Sequence, residues 1–523
     1  MYPENYLSGK PEKFRQHLAG SIKTHHCTIK STVFFAKTRT LTISYQPTWP
    51  VFVFPFVLAG LSYLLDFNGL YGQDGYEYLR QSQVLFSRLN GLPVPPSGIG
   101  DAEIAGGYPL MGALFQFAGL NALRALQLVS WLSAALALWL FELNLRVLSP
   151  GARVESRWVF GVLALALAPF FLRAGLTIMS DGFGLVLALA ALCFALRVIE
   201  LERHRDVVYF AVFTALAITT RYALAALLAL PALALALELW HARRFRWLVT
   251  AAMAGILAFL PLWWIKMGAP KSPLAHSLLQ DWSLLHLFQV TFTQASGTVS
   301  YRLPNLFYLF YPLVHPGFCL TLPALFLLAR RTDAALYSKR LLLLSMLLYL
   351  FFLGGLSHQN TRYLLPAYTL LLLLFFPAWD RFFAYGLYFF KRLTYALLGL
   401  ALLCQLFFTA WTLKPTLARN HLERQFSEIL ENSLPPDADV YAFDLDIALQ
   451  AYLPGIRFHN LFMRRYDTFP AGSFILFNEP KLRDQWAGQN PMLNWEHAQT
   501  HFELQAYQSL PEGWTLYRVI NSK

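Results

Sequence analysis

Apolar runs of about 17 to 23 residues, the length that carries a helix across a hydrocarbon layer of roughly 30 Å, recur along most of this chain. Inside lipid a backbone must satisfy its own hydrogen bonds, so runs of this kind fold as helices. About eleven are present: Trp49–Leu65, Leu123–Leu143, Trp158–Leu172, Met179–Ile199, Val207–Thr219, Tyr222–Leu239, Leu248–Ile265, Leu306–Leu328, Leu341–Leu356, Tyr363–Trp379 and Leu393–Leu413. The third and fifth are short, and a merger there is the alternative count. Composition agrees, with 56% hydrophobic, 16% aromatic and 14% charged residues, which excludes an ordinary soluble domain. The expected fold class is a polytopic α-helical membrane protein of about eleven transmembrane helices.

Lys and Arg alternate along these runs, and basic loops are retained in the cytoplasm. Lys10 to Arg39 precede the first span; Arg146, Arg153 and Arg157 follow the second; Arg203 and Arg205 the fourth; Arg243, Arg244 and Arg246 the sixth. Arg330, Arg331, Lys339 and Arg340 follow the eighth, and Arg381, Lys391 and Arg392 the tenth. All six groups belong inside, so an integral inner (plasma) membrane protein is expected with its N-terminus cytoplasmic and its tail extracytoplasmic. Outer loops then cover 66–122 and 266–304. The net charge of +12 is accounted for by retained loops and requires no nucleic acid.

Residues 1–48 have no apolar centre, so they read as a poorly ordered cytoplasmic leader rather than a cleavable signal, and the first span serves as an uncleaved anchor. His25-His26-Cys27 within it lacks a second pair of metal ligands. Cys193, Cys319 and Cys404 fall singly inside spans and read as small apolar residues. At Lys414 the composition turns mixed, and 414–523 reads as a small extracytoplasmic α/β domain. Its elements are a helix over Leu422–Leu434, strands over Asp439–Phe443, Ser473–Phe477 and Trp514–Ile520, and a short helix over Ile447–Tyr452. Asp444-Leu-Asp446 has the form of a metal-binding DxD, but nucleotide sugars are cytoplasmic and this domain is expected outside, so a strand-end turn with a helix cap is preferred.

Charged groups cluster on the expected outer face. Asp74 and Glu77 follow the first span; Asp181 opens the fourth, with Arg173 and Thr177 in the loop before it; Arg221 and Arg362 stand at outer span ends. Such groups are costly at a membrane border unless paired or solvated, which marks them as functional. Carboxylates with arginines around one crevice suit a phosphate leaving group and a base for a hydroxyl nucleophile.

At these residues the chain resembles the GT-C glycosyltransferases of the protein-mannosyltransferase and RgtA/B/C/D-like group (family 39/83-like), which includes the aminoarabinose transferases of lipid A. The resemblance spans roughly Trp49 to Trp379. It rests on Asp74, Tyr108-Pro109, Met179-Ser-Asp181, Ala217-Ile-Thr-Thr-Arg-Tyr222 and Arg362-Tyr-Leu-Leu-Pro366. It implies a GT-C catalytic domain over 49–413 that transfers a sugar from a polyprenyl-phosphate donor to an envelope acceptor, whether glycan, lipid or protein. Asp74, Glu77 and Asp181 are then the expected catalytic acids, and Arg221, Arg362, His358, Tyr363, Tyr108 and Lys271 the expected substrate contacts, with membrane lipid all around. Many relatives carry Asp-Glu in the first loop, whereas Gly75 follows Asp74 here, so any Mg or Mn ion would fall to Asp181 or Glu77. Lys266, His276, Asp281 and His286 in the second outer loop are further groups that could position donor or metal.

Two rivals remain at this point. A lipid-linked sugar flippase would place its ionisable residues near the bilayer midplane, where these spans carry almost none. An anchored assembly protein would leave the clustered charges unexplained. The topology is testable: a reporter enzyme active only outside the cytoplasm, fused after Ile520, is expected to be active, and a well-expressed but silent fusion reverses the sidedness.

Overall fold

Seven helices among the described residues are long and apolar enough to cross a membrane, and a bent pair and two shorter apolar helices join them. The computed structural model describes residues 49–93, 105–266, 282–294, 297–318 and 335–523. The leader with His25-His26-Cys27, and Lys271, His276 and Asp281, lie outside them. The long helices are α4 (Ala122–Leu148), α7 (Ser180–Leu201), α9 (Leu224–His241), α10 (Phe245–Lys266), α11 (Leu336–Gly354), α12 (Leu365–Phe389) and α13 (Lys391–Ser433). The shorter ones are α1 (Trp49–Leu64) and α8 (Asp206–Thr220). Of the eighth run, only two single turns at Asn305–Tyr308 and Tyr311–Val314 are described before residue 319.

The third run is not one straight span. Helix α5 (Val154–Phe160) widens into a π-helix over Gly161–Ala166, and α6 (Pro169–Leu176) leaves it at 73°. Pro169 opens α6, where its missing N–H costs nothing, and Ala168 before it is extended at ψ 128°, as a residue preceding proline prefers. The break carries Arg173 and Thr177 away from the path a straight helix would follow. Helices α4 and α7 are mostly buried and form the centre, where Asn144 donates across to the Leu189 carbonyl at 3.1 Å. Two residues earlier on α4, Glu142 is held by Arg146 and Arg157 at 2.6 and 2.9 Å.

Helix α13 has 43 residues and passes Lys414 and Pro415 without ending. At 1.5 Å per residue it reaches about 65 Å, roughly twice the hydrocarbon thickness. The change of composition at Lys414 thus falls inside one continuous helix rather than at its end. Apart from a short antiparallel pair, β1 (Thr291–Gln294) and β2 (Gly297–Ser300), the described strands lie beyond it in a five-stranded mixed sheet in the order β4-β3-β5-β7-β6, formed by β3 (Asp439–Ala442), β4 (Arg457–Asn460), β5 (Phe474–Phe477), β6 (Phe502–Ser509) and β7 (Thr515–Ser522). Helix α14 (Asp446–Tyr452) connects β3 to its parallel neighbour β4, while β5, β7 and β6 pair antiparallel. Helices α15 (Glu479–Trp486) and α16 (Asn490–His501) follow β5. The two strands of this sheet without a sequence signal, β4 and β6, are its edges, where one side stays open and the apolar pattern fades.

The tail stands on the face that carries Asp74. Asn420 of α13 donates to Asn68 Oδ1 at 2.8 Å and to the Leu70 carbonyl at 2.9 Å, and Arg424 pairs with Asp66 at 2.8 Å. Tyr76 donates to Glu423 at 2.6 Å, and Asn68 to the Tyr452 hydroxyl at 2.8 Å.

Neither acid of Asp444-Leu-Asp446 is available to a metal without losing a partner. Asp444, at φ 72°, pairs with Arg419 and Lys481, and Asp446 is buried at the start of α14 and accepts from Asn460. Burial pushes the Asp446 carboxyl from its ordinary 3.8 up to about 7. The folded chain therefore keeps this proton over a window in which the unfolded chain has released it, so stability falls as pH rises from about 4 to about 7 and is level above. Asp446→Asn is expected to flatten that fall and to raise the melting temperature at pH 8, read by thermal unfolding of the purified chain at several pH values. An unchanged slope would contradict the assignment.

Candidate active site

Helix α2 (Gly72–Asn90) starts after extended Tyr71, with Gly72 at φ 61° making the turn from the first span. Asp74 lies in its first turn, where a carboxylate opposes the helix dipole, and its side chain is 51% exposed. The buried face of α2 fixes the helix from both sides. Tyr76 reaches the tail, while Tyr78 meets Ser180 Oγ at 2.8 Å and packs edge-on to Tyr108 at 5.2 Å. The loop before α2 is tied to the loop before α7 by Ile178 N–H donating to the Gly69 carbonyl at 2.7 Å. Two loops about a hundred residues apart in sequence thus share one backbone bond.

Arg362 joins their acids. Its Nη2 donates to Asp74 Oδ2 at 2.8 Å, and its Nη1 lies 4.0 Å from Asp181 Oδ2. The turn Thr361–Leu364 that carries it is capped by Asn360, whose Oδ1 accepts from Arg362 N and Nε at 3.1 and 3.3 Å. Asp181, buried in the first turn of α7, forms an ion pair with Arg221, the residue that ends α8. Arg221 also sits over the Tyr363 ring, 4.5 Å from its centroid, and passes Gly184, where an added Cβ would meet Arg221 Cδ at 3.1 Å. Arg173 completes the group. It lines a cavity of about 10 Å³ with Asp181, Arg362, Thr177 and Phe170, and it stacks against Tyr71 and Phe170 at 5.4 and 5.8 Å.

Three arginines therefore face two carboxylates, and Arg173 has no ion-pair partner among the described residues. The site carries one surplus positive charge beside apolar helices, where charge interactions are poorly screened. Guanidinium groups in such a number can pair with an anion that has several oxygens.

The other expected residues take different places. Glu77 is buried against Arg80 at 2.5 Å and belongs to that pair. Tyr108 is fully buried, its hydroxyl bonded to Ser130 Oγ at 2.7 Å and the Leu126 carbonyl at 3.1 Å, so it braces α3 (Gly107–Gln116) on α4 behind the site. His358 packs edge-on to Tyr363 at 5.7 Å; burial and the nearby Arg362 hold its imidazole below its ordinary range, which keeps it neutral. His286 bonds the Gly355 carbonyl at 2.9 Å, in the packing between loops. Among the described residues no three His, Cys, Asp or Glu side chains are grouped to hold a metal, and Asp181 and Glu77 each face an arginine. Arg173 was visible in the sequence beside Asp181, but only the bend at α6 shows that it enters the site.

No family model matches this chain, and no curated protein matches it. Its backbone is similar to ArnT from Cupriavidus metallidurans in the apo state, with a TM-score of 0.60 and 14% identity over 88% of this chain and 97% of that one. The same protein bound to undecaprenyl phosphate matches with a TM-score of 0.57 and 15% identity over the same shares. This chain thus has the GT-C fold of ArnT, with a small sheet-containing tail.

The two acids differ in what they hold. Asp181→Asn leaves Arg221 without its counterion in a buried place and is expected to cost up to about 3 kcal/mol of stability. Asp74→Asn, half exposed, is expected to cost less than about 1 kcal/mol. Melting of both purified variants against wild type checks the order, and equal losses would place the two acids in the same kind of environment.

Proposed function

We propose that this chain transfers a sugar from a polyprenyl-phosphate donor to an acceptor hydroxyl on the extracytoplasmic side of the inner membrane. The surplus positive charge of Arg173, Arg221 and Arg362 over Asp74 and Asp181 carries this reading, because it fits a lipid phosphate lying at the membrane border. Support comes from the shared fold with ArnT, whose structure holds undecaprenyl phosphate.

The reaction is a single inverting displacement. The donor phosphate takes Arg362 and Arg173 as partners and draws Arg362 off Asp74. The freed carboxylate accepts the proton of the acceptor hydroxyl while that oxygen attacks the anomeric carbon, and the phosphate leaves from the opposite face. Positive charge develops on the sugar and negative charge on the departing oxygen, so arginines fixed in advance lower the barrier. Asp181 keeps Arg221 in place over Tyr363 and remains charged throughout. No step is routed through a cation, because the carboxylates that would hold one are already engaged by arginines.

The purified chain, supplied with polyprenyl-phosphate sugars and candidate acceptors, is expected to release polyprenyl phosphate. Asp74→Asn should lower that rate by about 10²- to 10⁴-fold. Arg362→Lys, which keeps the charge and loses the planar fork, should lower turnover more than donor affinity. A wild-type chain that carries lipid-linked sugar across a vesicle bilayer without cleaving it would establish the flippase instead.

A further inference from the structure

One residue before Asp74, Gln73 forms part of the wall of a cleft of about 430 Å³ between α2 and the tail. That volume lies within the roughly 300–1,000 Å³ of small-molecule sites. Arg419 of α13, Asp444 at the end of β3, and Lys481 and Gln485 of α15 supply the rest of its polar lining. None of these takes part in the reaction described above.

The charges in this cleft are balanced. Arg419 pairs with Asp444 at 3.0 Å and with Glu423 at 2.6 Å, and Lys481 lies 3.3 Å from the same Asp444 oxygen. Two cations meet two carboxylates, so a phosphate entering here gains no net field and must displace Asp444 from both partners. This is the opposite of the Arg362 site. What the cleft offers is a set of planar donors and acceptors: one carboxylate, one guanidinium and the carboxamides of Gln73 and Gln485. A hydroxyl both donates and accepts, so closely spaced hydroxyls can bond such groups in pairs. Beneath them lies an apolar floor in which Trp486 packs against Phe443 at 4.6 Å and Phe462 at 5.6 Å, a surface suited to the C–H face of a sugar ring.

We propose that this cleft binds a neutral sugar unit of the acceptor, adjoining the one whose hydroxyl is glycosylated at Asp74. The acceptor is then a glycan or a glycan-bearing molecule, selected partly by the tail. The proposal rests on the transferase reading for the word acceptor, but saccharide binding itself requires no turnover.

The test uses the full chain in detergent with a panel of soluble di- and trisaccharides of glucose, mannose, galactose and N-acetylglucosamine, and with inorganic phosphate as competitor. Binding is followed by saturation-transfer NMR and titration. At least one saccharide is expected to bind, phosphate is expected not to displace it, and Arg362→Lys is expected to leave it unchanged. Gln73→Ala and Gln485→Ala remove exposed carboxamides without disturbing the core, and each should weaken the affinity about threefold to tenfold. Absence of binding across the panel, displacement by phosphate, or full affinity in both variants would overturn the site. Polyprenyl phosphate release, assayed on the same wild-type preparation, separates the two readings: saccharide binding without release leaves the cleft and removes the transferase, while release without binding does the reverse.

Discussion

Arg362 is the interaction on which this charged face of the molecule depends. Its guanidinium contacts Asp74 of α2 at 2.8 Å and approaches Asp181 of α7 within 4.0 Å, so one side chain ties the start of α2 to the centre of the bundle. Each of these groups would be costly alone at the edge of a low-dielectric layer. Together they offset one another, with Arg221 satisfying the remaining oxygen of Asp181. Asp74 is nevertheless half exposed, and Arg173 adds a charge that the carboxylates do not cancel. In the proposed reaction a phosphate takes over partners already in place, which limits the reorganisation that binding requires.

The tail shares in positioning this group. Helix α13 is one continuous element to Ser433, and its Asn420, Glu423 and Arg424 bind Asn68, Leu70, Asp66 and Tyr76, on either side of the first turn of α2. Asp74 is thus held between the bundle below and the tail above. Its neighbours alternate, with Tyr76 committed to the tail and Tyr78 to Ser180. The same contact creates the charge-balanced cleft at Gln73, so a surplus-charge site and a neutral polar site lie side by side on one short helix turn. The two differ in electrostatics, one with an uncancelled arginine and one with its charges paired.

The sequence by itself located most of the apolar helices, because apolar character over consecutive residues is a local sum and needs no distant partner. It also placed Asp74 in the loop after the first run and Asp181, Arg221 and Arg362 at span ends, since a charge near the border of an apolar run is visible locally. Strands β3, β5 and β7 were legible because they are the inner strands of the sheet and are apolar, whereas edge strands β4 and β6 were not. Only the tertiary structure decided which charge meets which. Arg362 goes to Asp74, Asp181 to Arg221, and Tyr108 serves as a brace behind the site. The break at Pro169, the unbroken passage of α13 through Lys414, and the cleft joining Gln73 to Arg419 and Lys481 belong to the same class. Pairing between residues tens to hundreds apart depends on how helices pack and where they bend, and that information is shared among many side chains rather than written at any one of them.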